Sequence, residues 1–346
     1  MVLTIAAAVF VFGLLVLVHE LGHFMTAKAT DMRVDEFAIG FGPKLFSFRR
    51  GETEYSLRAI PLGGFNDIAG MNPEDNKAGE RGYCEKPVSS RMIVILSGSV
   101  MNFILPVLLF FGIFFFAGVG TPSTEPVLGT VLPDKPAAMA GLREGDRILS
   151  INGVEIENWS QLSETVRQGE EGSPVEVVFQ RGSETQRALI EPYYDEGSKR
   201  QVIGVLGTLD MRYPGVAESM QLAVQKTYSI MEMMLTELGR IFAERSGAEL
   251  AGPIGVAQMA GEMAQIGFIP LLNFAAFLSL NLGIINLLPV PALDGGHFMM
   301  LLMEAVRGKP MSPKTLYYLQ SVGVALLVLL MLFATKNDVV RVFTGG

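Results

Sequence analysis

The chain has only three histidines in its 346 residues, and two stand four apart in His19-Glu20-Leu21-Gly22-His23. Helical positions four apart differ by roughly 40° around the axis, so both imidazoles leave one face. With a glutamate between them they form the H-E-x-x-H zinc pattern, in which the carboxylate serves as general base. The bland alternative is a His-Glu pair snorkelling at a membrane interface. Against it, ionisable side chains closing an apolar run are costly and are retained where they function. A hydrolytic zinc takes three protein ligands and keeps a fourth position open. The third must come from elsewhere, and Asn286-Leu287-Leu288-Pro289-Val290-Pro291-Ala292-Leu293-Asp294-Gly295-Gly296-His297 offers both Asp294 and His297. Spacing alone does not choose between them.

The elements that must position these groups follow from composition. Charged residues make up 18% of the chain, below the roughly 25% usual in soluble domains, and the mean hydropathy is +0.37. The apolar surplus falls into four runs long enough to cross ~30 Å of hydrocarbon as helix. These are Val2 to about Val18, continuing helically through His23; Met92 to Ala117; Phe268 to Leu288, ended by Pro289 and Pro291; and Leu316 to Ala334. Met220 to Ala243 is also apolar but carries Lys226, Glu232, Glu237 and Arg240, which suits an amphipathic helix lying on the membrane or on the protein. The opening run lacks a basic leader segment and a small-residue cleavage pattern, so we expect a permanent span. One cysteine, Cys84, excludes an intramolecular disulfide framework and a thiolate zinc cluster. A net charge of −8 makes nucleic acid an unexpected partner.

Topology gives a check on the site. With four spans the first and third run in the same direction, so H-E-x-x-H at the end of the first and Asp294 after the third reach one face. His19 lies ~25 Å along a helix begun near Val2, close to the edge of the hydrocarbon. Were Met220–Ala243 a fifth span, Asp294 would face the other compartment. Lys28, Arg33, Arg81, Lys86 and Arg91 in one loop, and Arg307, Lys309 and Lys314 in another, place both loops in the cytoplasm. Lys336 and Arg341 dissent from the C-terminus this implies.

Between the second and third spans the pattern becomes that of a small globular domain. Strands are expected at Val127–Leu132, Gly145–Gly153 (closed by an Asn-Gly turn) and Val175–Gln180, with helical segments at Pro136–Leu142 and Trp159–Arg167. The run Ala137-Ala138-Met139-Ala140-Gly141-Leu142-Arg143-Glu144-Gly145-Asp146-Arg147-Ile148-Leu149-Ser150-Ile151-Asn152-Gly153 resembles bacterial PDZ domains. Such domains capture an extended peptide or a C-terminus at a sheet edge, and Ile203–Gly207 is the candidate carboxylate cradle. A domain that only filters access to the membrane part is the equal alternative.

His19-Glu20-x-x-His23 on the first span, a PDZ insert, and N-x-x-P-x-P-x-L-D-G-G-H after a later span together resemble the site-2 protease family. Their order matches the bacterial regulator-of-sigma-E protease branch. Gly40-Phe41-Gly42-Pro43, Ile60-Pro61-Leu62-Gly63-Gly64-Phe65 and Gly252-Pro253-Ile254-Gly255 agree, so the resemblance covers nearly the whole chain. Some members carry two PDZ domains in tandem; this insert has room for one. The resemblance implies that His19, His23 and Asp294 bind Zn2+, that Glu20 is the base, and that Asn286 contacts the substrate backbone or the developing oxyanion. His297 is expected to pack against or orient the Asp294 turn rather than bind metal. Asn102 is expected to serve close helix packing.

The expected fold is a polytopic α-helical membrane protein with about four transmembrane helices, an inserted α+β PDZ domain and a membrane-associated β-hairpin. Residues 1–117 hold the first two spans, the zinc motif and a cytoplasmic loop. Residues 118–212 form the extracytoplasmic PDZ domain, 213–265 amphipathic linker helices, and 266–346 the last two spans. Tyr55–Ile68, with Gly63 and Gly64, is the candidate hairpin edge that receives an unwound substrate as an added strand. The implied activity is intramembrane zinc endopeptidase cleavage of single-span membrane proteins, such as anti-sigma factors or remnant signal peptides, in a bacterial inner membrane. The alternative is a non-enzymatic PDZ membrane adaptor with a vestigial or structural zinc site. A zinc transporter is a distant third, since the second and fourth spans have no ionisable groups.

Overall fold

The computed structural model describes residues 1–71, 79–168, 173–195, 199–244 and 252–344. Small parts of the expected insert and of the expected 213–265 segment therefore lie outside the described residues. The chain divides into two compact units, Met1–Phe114 with Val216–Gly346, and Phe115–Gly215.

In the first unit, α1 (Val2–Ala29) runs unbroken through the H-E-x-x-H pentapeptide. The helix α2 (Val88–Gly112) continues as a π-turn to Ala117. Then come α5 (Val216–Glu244), α6 (Pro253–Ile266), α7 (Phe268–Asn286), α8 (Asp294–Arg307) and α9 (Pro313–Thr344). Four helices are long and apolar enough to span a bilayer: Val2–Ala29, Val88–Ala117, Phe268–Asn286 and Lys314–Asp338. The α5 helix, which carries Lys226, Glu232, Glu237 and Arg240 along its length, is not among them; it turns Ala223, Ser219 and Thr227 inward and packs on α2.

Small residues set how closely these helices approach, because packing between apolar helices is driven by van der Waals contact. A Cβ on Gly22 of α1 would run into the Ser97 carbonyl of α2, and Thr26 Oγ1 lies 2.8 Å from Ser97 Oγ. Gly283 of α7 touches the Phe103 ring, and Ser279 Oγ donates to the Asn102 carbonyl at 2.8 Å. On α9 the buried Asp338 carboxylate accepts from Gly252 and Gly255 N–H at 3.1 and 2.8 Å. That contact is what the Gly252-Pro253-Ile254-Gly255 run provides: an anion at the start of α6, where unpaired amides point outward.

The loop after α1 forms two long strands, β1 (Val34–Arg50) and β2 (Thr53–Ile68). Residues 36–39 have partners on two sides, at 64–67 and at 54–57, while 44–50 pair with 53–58. The Tyr55–Leu57 part of the expected edge is thus enclosed by β1. Residues 64–68 pair only with 34–39 among the described residues. Gly40 and Gly42, at φ +90° and +85°, make the bend that permits this.

The second unit, described by itself, is the PDZ-type insert. It contains β3 (Val119–Pro122), β4 (Leu128–Val131), α3 (Pro136–Met139), β5 (Arg147–Ile151), β6 (Val154–Glu155), α4 (Trp159–Arg167), β7 (Val175–Arg181) and β8 (Glu184–Ile190). After these come β9 (Tyr193–Asp195), β10 (Arg200–Val202), β11 (Val205–Gly207) and β12 (Leu209–Arg212). The sheet order is β6-β5-β7-β8, with pairs β11-β4, β12-β3 and β10-β9. Asn152 and Gly153 take φ +50° and +78°, the turn that joins β5 to β6. Asn158 caps α4 by accepting from Gln161 N–H. Leu128, Ile148, Ile151, Leu162, Val177 and Phe179 are central to its core.

Candidate metal centre

Two histidines four apart on α1 meet the first residue of α8. His19 Nε2 and His23 Nε2 lie 3.2 Å apart, and Asp294 Oδ2 stands 3.5 and 3.6 Å from them. Four ligands arranged tetrahedrally at zinc distances of about 2.0–2.2 Å are about 3.3–3.6 Å from one another. Among the described residues, His19, His23 and Asp294 form the cluster of ligand type. His297, the other spacing-compatible candidate, lies elsewhere: its Nε2 is 2.9 Å from Gln320 Nε2 of α9.

The partners of the imidazoles decide which nitrogen carries the lone pair. His23 Nδ1–H donates to the Val94 carbonyl at 2.7 Å, which leaves Nε2 free to coordinate. His19 Nδ1 lies 3.1 Å from the Asn102 side-chain amide, whose Oδ1 is otherwise buried without a partner. Amide oxygen and nitrogen exchange by a half-turn, and with Oδ1 facing the ring it accepts from His19 Nδ1–H. Both Nε2 atoms then present lone pairs to each other and to a carboxylate. Such a donor set calls for a cation, so the residues fit zinc.

A cradle for the rings is cut into α2. A Cβ on Gly98 would fall inside contact distance of His23 Nε2 and 2.7 Å from His19 Cε1. Ser99 Oγ donates to Asp294 Oδ2 at 3.3 Å. Asp294 is held in turn by Gly295 and Gly296, whose Cβ positions are filled by the Leu287, Leu288 and Val290 carbonyls. Ala292, two residues earlier, takes φ +76°.

Glu20 follows His19 and meets strand β2. Asn66 Nδ2 donates to Glu20 Oε2 at 2.7 Å and to the Glu20 carbonyl at 2.9 Å. Gly64 makes this approach possible, since a Cβ there would meet Glu20 Cγ and Val16 Cγ1 at 2.9 Å and the Ala38 carbonyl at 2.7 Å. Gly63, at φ +137°, packs on the Phe41 ring. Asn286 is buried at the end of α7, one turn beyond the Gly283 that packs on Phe103 and Asn102 of α2.

Sequence reasoning did not single out Asn66, Gly98 or Ser99 as site residues, and it read Asn102 only as a packing residue. The small-residue run Ser97-Gly98-Ser99 was a visible signal for α2. Nothing local marks Asn66.

In the insert, Trp159, Leu162 and Val166 of α4 face Arg200, Ile203 and Leu206 across a groove of about 130 Å3. The Ile203–Gly207 segment forms one wall. Gly204 has φ +83°, and its carbonyl accepts from Leu132 N–H.

Helices of membrane-spanning length, a His-His-Asp cluster with an adjoining glutamate and a PDZ-type insert define a polytopic membrane zinc metalloprotease. The model of peptidase family M50 matches residues 7–330, and the chain belongs to that family. It is 32% identical to the "Regulator of sigma-W protease RasP" of Bacillus subtilis, over 98% of this chain and 99% of that one. It is 33% identical to the "Zinc metalloprotease RasP" of Bacillus licheniformis over the same shares. Both alignments run over 420 positions, against 346 residues here. A relative from Clostridium acetobutylicum aligns at 32% identity over 337 residues, 97% of each chain. The PDZ domain of the SdrC-like protein of Listeria monocytogenes is 23% identical over 26% of this chain and 93% of its own, with a TM-score of 0.23. Membership in a peptidase family displaces the adaptor alternative.

Proposed function

We propose that this membrane zinc metalloprotease is an endopeptidase that cuts single-span proteins within their transmembrane segments, with His19, His23 and Asp294 as zinc ligands. The observation that carries the proposal is the meeting of the two Nε2 atoms and Asp294 Oδ2 within 3.6 Å, at a depth of ~25 Å along a membrane-length helix. Zinc, when bound, supplies Lewis acidity toward a peptide carbonyl and toward water. Glu20 takes a proton from the attacking water and delivers it to the leaving amine nitrogen. Asn286 donates from its amide to the developing oxyanion.

A helical substrate hides its carbonyls in i→i+4 hydrogen bonds and has to open before it can be cut. The edge of residues 64–68, opposite their β1 partner, is the receiving strand, with Gly63 and Gly64 at its head. The Gly64 and Asn66 side of that strand lies on Glu20, so an added strand starts beside the base. The PDZ groove takes a peptide or a C-terminus. Loop charges orient the site toward the cytoplasm of a bacterial inner membrane and the PDZ domain outside. Anti-sigma factors and remnant signal peptides are the expected substrates.

The test is Glu20→Gln, assayed on a tagged single-span substrate in proteoliposomes, with cut sites mapped by mass spectrometry. Zinc should stay bound while hydrolysis disappears, and wild-type cuts should fall inside the membrane segment. Undiminished turnover by the variant, or cuts confined to the aqueous flanks, would overturn the proposal.

A further inference from the structure

Resting on the reading of Glu20 as the base, we infer that Asn66 is its positioning residue: an amide on strand β2 that fixes the carboxylate for proton transfer. The grip is double. One Nδ2 group reaches Oε2 at 2.7 Å and the main-chain carbonyl of the same residue at 2.9 Å. A glutamate has three side-chain torsions, and a base acts only within hydrogen-bond reach of the proton it takes. Helix α1 fixes where Glu20 starts; the donor from β2 fixes where Oε2 ends.

Other features agree with a built contact. Gly64, two residues earlier on the same face of the strand, has no side chain to hold β2 away from Glu20 Cγ and Val16. Phe37 of β1 pairs with Asn66, and its ring packs edge-on to Phe24 of α1 at 5.3 Å between centroids. The strand therefore has a fixed height along α1. Asn66 Oδ1 is buried without a partner. Orienting Oδ1 toward Glu20 in place of Nδ2 would set two acceptors against each other, so the amide has one useful orientation and the orphaned oxygen is its cost.

The side-chain hydrogen bonds of Asn66 go to Glu20 and to none of the three candidate ligands, and this separates positioning from metal binding. The test compares Asn66→Leu, Asn66→Asp and Asn66→Gln with wild type and Glu20→Gln, all as full-length protein in detergent micelles. Turnover is normalised to zinc-loaded protein, and zinc affinity is read by chelator competition. We expect Asn66→Leu to lose about 10- to 100-fold in kcat with KM within twofold. Asn66→Asp should lose more, because it faces the base with a second acceptor, and Asn66→Gln should recover part of the loss by keeping a donor. Zinc affinity should stay within threefold of wild type in all three. Wild-type kcat in Asn66→Asp beside an inactive Glu20→Gln would overturn this inference and leave Glu20 as the base. Activity in Glu20→Gln itself would overturn the base reading. A parallel fall of zinc affinity and turnover in every Asn66 variant would show a structural role and also overturn the inference.

Discussion

Gly98→Ala is the smallest change that tests the metal centre. The added methyl would stand 2.7 Å from His19 Cε1 and His23 Cε1, and nearer still to His23 Nε2. Carbon atoms pack at about 3.5–4.0 Å, so the rings would have to retreat by about 0.8 Å. Metal sites tolerate about 0.2 Å in ligand distance. Neither ring can retreat freely, since His23 is tied to the Val94 carbonyl and His19 to Asn102. Zinc affinity should therefore fall at least about 100-fold, or about 2.8 kcal/mol, in line with the 1–3 kcal/mol typical of an overpacked site. The assay is chelator competition on purified protein, with the thermal midpoint measured in parallel. Gly22→Ala is the contrast: its methyl meets the Ser97 backbone carbonyl, so it should lower the midpoint by parting α1 from α2. A Gly98→Ala protein binding zinc within threefold of wild type would refute the cradle.

Glu304→Ala should destabilise the membrane unit by about 3–5 kcal/mol, because it strands the buried Arg91 guanidinium; Arg91→Met with Glu304→Leu should restore most of the loss in denaturant titration. In the insert, the buried Asp146 carboxylate accepts two hydrogen bonds from Arg181 and one from Arg143 N–H. Asp146→Ala should cost about 2–3 kcal/mol, read as faster hydrogen exchange across β5 and β7. Glu52, between β1 and β2, is held down to about 2 by Arg81 and Lys28. A lowered carboxylate value stabilises the fold fully above the ordinary 4.5 and loses that contribution as pH falls toward 2. The thermal midpoint should thus decline between pH 5 and pH 3, and Glu52→Gln should flatten that slope.

What was legible in the sequence were features with local causes. The paired imidazoles follow from i, i+4 spacing, the insert's elements from strand alternation and an Asn-Gly turn, and the spans from apolar length. The choice between Asp294 and His297 was not legible, because both sit at the start of α8. Three residues along a helix carry His297 ~4.5 Å further on, where it meets Gln320. A hairpin was expected in this loop, but the extent of β1 was hidden by its own Gly40, Gly42 and Pro43, which break the alternation that marks a strand. The Asn66–Glu20 contact depends on strand register against a helix 46 positions away, and a one-residue slip would turn Asn66 to the opposite face.

The three candidate ligands share one support. Val94, Gly98 and Asn102 recur every four residues along α2 and so form a single stripe, with Ser99 beside it. This stripe gives a carbonyl to His23, a recess to both rings, an amide to His19 and a hydroxyl to Asp294. The imidazoles come from one helix and the carboxylate from the start of another, 275 positions beyond His19. A small shift of α8 relative to α1 would open that gap. A common wall removes this freedom, because each ligand is referred to the same two turns of α2 rather than to its neighbour. Orientation by such outer partners is worth 10- to 100-fold in metal affinity at a typical site. The Val94–Asn102 stripe therefore holds the candidate ligands of both helices in place, although it contributes no atom to the His19–His23–Asp294 cluster.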